Sequence, residues 1–210
     1  MNAPKWQRRK EARPAEIVAA ALAVFAEKGF ASARTEDIAA RAGISKGALY
    51  LYFPTKEDLF CAVVHEAVVP NIEALTAQMR AADMPFAALV RTMLPRFAEM
   101  VLITRLGAVA KMVVGESGNF PELARVWYDS VISRAIGMLS GLIADAQQRG
   151  EIRPGDPRTH AFSIMGPMMM GVIWHETFSP IGGEAIDLPA VARQHVETVL
   201  GGMLMDGERS

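Results

Sequence analysis

Cysteine is almost missing from this chain: Cys61 is the only one in 210 residues. No disulfide can form within the chain, so nothing in its covalent chemistry calls for an oxidising compartment. Set among Leu59, Phe60, Ala62 and Val63, Cys61 reads as a buried thiol. One thiolate cannot build a cysteine zinc site, and the four histidines (His65, His160, His175, His195) do not stand at metal-ligand spacing. His175-Glu176 lacks a second histidine four positions after the first. There is no Gly-rich dinucleotide loop and no phosphate-binding Gly-Lys-Ser/Thr. The nearest approach to a nucleophile elbow, Gly115-Glu116-Ser117-Gly118-Asn119, is broken by Asn119. An enzyme is therefore not expected, nor is a cofactor or a metal. The basic start is followed by no apolar stretch of the kind a secretory leader has. The longest apolar run, 161–174, is too short to cross a bilayer and contains Gly and Pro. The expectation is a cytoplasmic protein with no membrane partner.

Aromatics make up only 7% of the chain, yet hydrophobic residues reach 51%, with 13 methionines. That composition buries a sizeable core and favours helix. The net charge of −1 is close to balance, but it is unevenly spread. Residues 1–60 hold ten Lys/Arg against seven Asp/Glu; the remaining 150 hold twelve against sixteen. Lys5, Arg8, Arg9, Lys10 and Arg13 make residues 1–13 a basic arm suited to phosphate.

Periodicity is helical throughout. A first helix is expected from Pro14 to Lys28, with Ile17, Ala21, Val24 and Phe25 on its apolar face and Gly29 as its stop. A short second helix follows from Thr35, its expected N-cap, to Ala42. Ser45 caps a third that runs to Phe53, where Pro54 ends it. Thr55 caps a fourth, which Pro70 should kink or end. Further helices are expected at 85–99, 101–116, 121–149, 157–178 and 187–205. No internal repeat and no β-alternation is visible. The fold class is all-α.

The segment 35–53 has the form of a helix-turn-helix, two short amphipathic helices joined at Gly43, where a positive φ is needed. On its second helix Leu49 and Phe53 point inward. Lys46, Gly47, Ala48, Tyr50 and Tyr52 occupy the other faces. These residues suit DNA: Gly47 admits close approach, Ala48 can touch a thymine methyl, and Lys46 and the tyrosine hydroxyls can reach phosphates or base edges. Lys56 offers one more phosphate contact.

Residues 17–60 resemble the signature of the TetR/AcrR family. The matching positions are Ile17, Ala20-Ala21, Phe25-Ala26-Glu27-Lys28-Gly29-Phe30, Asp37-Ile38-Ala39, Ala42-Gly43-Ile44-Ser45-Lys46-Gly47, Leu49-Tyr50, Tyr52-Phe53 and Lys56-Glu57-Asp58-Leu59. The resemblance implies a three-helix DNA-binding domain (14–58) followed by a larger helical ligand-binding and dimerisation domain (59–210). It implies that the positions of Thr35, Ser45, Lys46, Gly47, Ala48, Tyr50, Tyr52 and Lys56 lie at or beside the DNA. Two departures bear on which operator is read. Ala33-Arg34 stands where many members have small hydroxyl residues, so Arg34 becomes a candidate phosphate contact, and Ala48 replaces a frequent Thr.

The resemblance further implies a homodimer paired through helices near 157–178 and 187–205. Ile164, Met168, Val172, Ile173, Val191, Val196, Val199, Leu200 and Met203 would supply apolar faces, and Gly166, Gly171, Gly201 and Gly202 close approach. Such a dimer binds a palindromic operator in double-stranded DNA and is released by a small-molecule effector. Met93, Met100, Met112, Met138, Met165 and Met169 fall in the region where the family builds its cavity. The expected ligand-contact set is Met100, Met112, Trp127, Tyr128, Met169, Trp174 and Phe178. Few charges fall there (Arg105 and Lys111), which points to an apolar or aromatic effector. The other class consistent with these residues is a helical protein-binding adaptor. It would show none of the salt dependence that phosphate contacts impose.

Overall fold

The computed structural model describes residues 5–82 and 84–205, with side chains from residue 13 onward. Lys5, Arg8, Arg9 and Lys10 of the basic arm lie outside the described side chains. Among the described residues there is no β-strand, only one isolated antiparallel bridge between Ile152 and Leu204.

Helix α1 spans Lys5–Ser32 and is broken at Gly29, whose φ of 75° is the left-handed conformation that glycine alone adopts freely. Pro14 therefore lies inside α1 and does not begin it. Next come α2 (Thr35–Arg41), α3 (Lys46–Tyr52) and α4 (Lys56–Val63). Of the two outcomes expected at Pro70, a kink or an end, the end does not occur. The helix widens to π geometry over Val64–Val68 and continues as α5 (Val69–Ala81). The wider turn precedes the proline, where the ring would otherwise press on the carbonyl four residues back. Together these make Lys56–Ala81 the one described helix long and apolar enough to cross a membrane; a third of its most apolar window is buried in the protein.

Beyond it lie α6 (Phe86–Ile103), α7 (Leu106–Glu116), α8 (Pro121–Trp127), a second π stretch (Tyr128–Ile132), α9 (Ser133–Gln148), α10 (Pro157–Thr177) and α11 (Leu188–Met203). Asp156 and Asp187 cap α10 and α11, each with proline at the start of the helix.

Packing groups the chain into two units, 1–71 with 108–130, and 72–107 with 131–210. The sequence reading has one cut, after residue 58. The core of the first unit is an aromatic cluster. Phe25, Phe30 and Phe60 place their ring centroids 5.5–6.2 Å apart, and Phe120 lies 5.0 Å from Phe30. In the second unit α6 packs on α11, and α10 on both α9 and α11. Arg91 of α6 donates two hydrogen bonds to the Glu197 carboxylate of α11, at 2.8 and 3.0 Å.

Candidate nucleic-acid interface and ligand cavity

The turn between α2 and α3 is built from backbone. Gly43 has φ 67°, its N–H donates to the Ala40 carbonyl at 3.2 Å, and that of Ile44 to the Ala39 carbonyl at 3.0 Å. This is a Schellman closure, and it needs a left-handed residue at Gly43. Ser45 then caps α3 by accepting from the Ala48 N–H at 3.2 Å. Thr55 and Asp58 form a capping box on α4.

Leu49 of α3 is fully buried and anchors the helix. Lys46, Gly47 and Tyr50 are exposed; Ala48 and Tyr52 are half-buried. The expected cap at Thr35 is not made. Arg34 holds the N-cap position with no side-chain cap, and Thr35 is the first helical residue. Its hydroxyl lies 3.2 Å from the Tyr50 hydroxyl, so the two ends of the motif touch through side chains. Lys46 is ion-paired with Glu36 of α2. The hydrogen bond from Lys46 holds the Glu36 carboxyl below its ordinary range, and Glu36 raises the lysine in turn.

Lys56 does something other than face outward for phosphate. Its ammonium donates to the carbonyls of Phe30 (2.8 Å), Ala33 (3.2 Å) and Ala31 (3.4 Å) and lies 4.4 Å from the centroid of the Phe30 ring. Three N–H bonds meet three acceptors, so Lys56 closes the C-terminal end of α1.

Two residues were missed in reading the sequence. Glu116 accepts the N–H groups of Phe30 and Ala31 from 86 and 85 positions away, which no local pattern signals. Leu51 is 86% exposed on α3. Its place about 200° around the helix from Leu49 was a signal available in the spacing alone.

The second unit holds a cavity of about 70 Å³. Ile72, Leu75, Thr76 and Met79 of α5 form one wall, and Val90, Met93, Leu94 and Phe97 of α6 another. Ala135, Met138 and Leu139 of α9 with Ile164 and Met165 of α10 complete it. Thr76 is the one side chain with a polar group, and four of the thirteen are methionine.

Residues 17–63 match the N-terminal domain of the TetR family of bacterial regulatory proteins, and residues 87–201 match the C-terminal domain of AefR-like transcriptional repressors. The chain belongs to the TetR family. It is 32% identical over 163 residues to the HTH-type transcriptional regulator RutR of Escherichia coli K12, covering 76% of this chain and 74% of RutR. It is 26% identical over 197 residues to the fatty acid metabolism regulator protein of Bacillus subtilis, covering 92% and 98% of the two chains. Among solved structures, a TetR-family regulator from Mesorhizobium loti superposes with a TM-score of 0.75 at 25% identity, covering 94% of this chain and 99% of that one. Bacillus subtilis FadR, solved with stearoyl-CoA, shares the fold at a TM-score of 0.74 and 22% identity, covering 90% and 98%. The protein is thus a DNA-binding transcriptional regulator of the repressor type.

In this TetR-family chain none of Met100, Met112, Trp127, Tyr128, Met169, Trp174 and Phe178 lines the cavity of the second unit. Met112 and Trp127 are packed into the first unit, and Tyr128 is exposed. Trp174 lies against Phe178 with the rings tilted and their centroids 4.9 Å apart, and donates its indole N–H to the Glu184 carbonyl at 2.9 Å. Met93, Met138 and Met165 of the wider methionine set do line it. Helical periodicity locates an apolar face but not whether that face meets a neighbour or a void.

The residues expected at the pairing faces differ in burial, with Ile173, Val191 and Val199 half-buried. Ile164, Met168, Val172, Val196, Leu200 and Met203 are buried within the single chain. Gly171 serves an internal contact, since a Cβ there would come within 2.4 Å of Leu188 Cδ1. The stripe α10 leaves uncovered is Phe162, Gly166 and Met170, four residues apart, with Phe162 and Met170 more than half exposed.

Proposed function

We propose that this regulator binds a palindromic operator as a homodimer and represses until a small apolar effector lowers its affinity. The observation that carries the DNA half is α3 itself: a helix pinned by Leu49 and Ser45 at a Schellman turn, with Lys46, Gly47 and Tyr50 turned to solvent. Such a helix enters the major groove with its outer residues at base edges, while flanking groups take phosphates. Lys46, Gly47, Ala48 and Tyr50 face the bases. Arg34, Thr35, Ser45 and Tyr52 flank them. Lys56 is assigned to holding the head together.

The effector half rests on the cavity. Its walls offer no charge, so the ligand portion they receive is hydrocarbon. A volume near 70 Å³ is below what a whole ligand needs, and methionine side chains can move aside to enlarge it. The relative that regulates fatty acid metabolism and the FadR structure with stearoyl-CoA favour an acyl chain as that portion. The uncovered stripe Phe162, Gly166 and Met170 on α10 favours pairing there, with a second copy covering it.

The test is retention of fragmented genomic DNA on the purified full-length protein, followed by sequencing. One palindromic motif upstream of a promoter, with affinity that falls steeply as salt rises, is the expected result. The Tyr50→Ala variant should stay folded and dimeric and lose affinity for that motif. Retention without sequence preference or without a salt slope would return the chain to the adaptor class.

A further inference from the structure

Helix α3 advances 100° per residue, so Gly47 and Leu51 each lie about 160° from the buried anchor Leu49, on opposite sides of the same crest. They are four residues apart and adjacent on the surface. Leu51 is 86% exposed, the most of any large apolar side chain among the described residues. A Cβ at Gly47 would meet no atom within 4 Å. Ala48 stands beside Leu51, three positions before it. The part of α3 furthest from the core is therefore the bare backbone of Gly47 and the Leu51 side chain, with the half-buried Ala48 methyl on its flank, and none of the three offers a side-chain hydrogen-bonding group. The charged and hydroxyl groups stand to one side. Lys46 is held by Glu36, and the Tyr50 hydroxyl by Thr35.

In the major groove the base edges carry donors and acceptors, and one carbon group, the 5-methyl of thymine. We propose that Leu51, seated by the bare backbone at Gly47, reads thymine methyl groups and so determines sequence specificity in the operator half-site. The assignment rests on the DNA-binding reading given above. Gly47 lets the helix settle deep enough for the leucine to reach the groove floor. Leu51 and Ala48 then exclude water from the methyl. Cytosine at that position would leave the same leucine against a hydrated, methyl-free edge.

The experiment uses the full-length protein. A preferred duplex is first selected from random DNA with the unaltered protein. Each thymine in it is then replaced by deoxyuridine, which removes the methyl and keeps every hydrogen-bonding group. Affinity is measured for the unaltered protein and for Leu51→Ala. The expected result is one or two positions in each half-site where uracil weakens binding roughly four-fold per methyl. Leu51→Ala should weaken binding comparably and show no further loss at those positions. Its helical circular dichroism and melting temperature should match the unaltered protein, because the side chain packs on nothing. Uracil tolerated everywhere overturns the proposal, as does a Leu51→Ala variant that keeps full sensitivity to the methyl. A Leu51→Ala variant that binds the selected duplex undiminished also overturns it and assigns the leucine to a protein contact. Failure of the underlying reading looks different: no sequence is selected at all.

Discussion

Glu116 grips Phe30 by its backbone, one carboxylate oxygen accepting the Phe30 N–H at 2.8 Å while the other accepts the neighbouring N–H of Ala31 at 2.7 Å. Lys56 holds the same two residues by their carbonyls. A short run that leads from α1 into the reading helices is thus fixed by a carboxylate on its donors and an ammonium on its acceptors. Charge-assisted bonds of this kind are stronger than neutral ones.

Removing the carboxylate strands the part-buried Phe30 N–H and leaves the exposed Ala31 N–H to water. Glu116→Ala is expected to destabilise the protein by about 1–3 kcal/mol. Urea unfolding followed by circular dichroism measures it. A midpoint equal to that of the unaltered protein would show that the grip contributes nothing.

Lys56→Met keeps the length of the stem and deletes the ammonium. Loss of stability of about 1–3 kcal/mol is expected. The salt dependence of operator affinity should keep its slope. A residue that neutralises a phosphate would instead lower that slope by about one unit on removal, so one titration separates the two roles.

Gly29→Ala meets two obstacles at once. The residue has φ 75°, and a Cβ would lie 2.5 Å from Glu116 Oε1. The backbone conformation alone, φ 75° with ψ 172°, costs a residue other than glycine about 1–3 kcal/mol, and the displaced carboxylate adds to it. The melting temperature should fall further than for Gly47→Ala, where the space is open.

The Glu151 carboxylate accepts the Phe86 N–H at 2.7 Å and pairs with Arg149. Burial pushes its pKa up, but Arg149 and the Phe86 N–H outweigh that, and the net position is below the ordinary 4.5. A carboxylate lowered on folding contributes stability that is fully present above its unfolded value and is lost as pH falls through the folded one. Unfolding free energy should therefore decline on acidification below the ordinary glutamate value. Glu151→Gln should flatten that limb when the two proteins are titrated side by side.

Ala135→Leu adds bulk to the cavity wall. It should abolish uptake of an apolar naphthylamine dye while operator affinity stays within about two-fold, since the reading helices are untouched. Full dye binding by the variant would place the apolar ligand elsewhere.

Much of this was legible along the chain because it depends on neighbours within a turn or two. Gly43, Ser45, Thr55 and Asp58 act on backbone three to five residues away, so the turn and two caps could be read directly. So could the buried anchor Leu49, one helical turn before Phe53 on the same face. Thr35 misled because Arg34, without a capping side chain, takes the N-cap position and Thr35 bonds across the motif to Tyr50. Pro70 does not end its helix because a π turn just ahead of it accommodates the ring.

The sequence by itself determined the all-α class, the helix-turn-helix and the family, since these follow from side-chain periodicity, turn chemistry and a dense run of matching residues. Tertiary structure alone decided where Lys56 and Glu116 aim, which methionines border a void and which face of α10 is left bare. Periodicity gives the angle of a side chain about its helix axis. What that side chain meets depends on segments tens of residues away, and only packing brings those together.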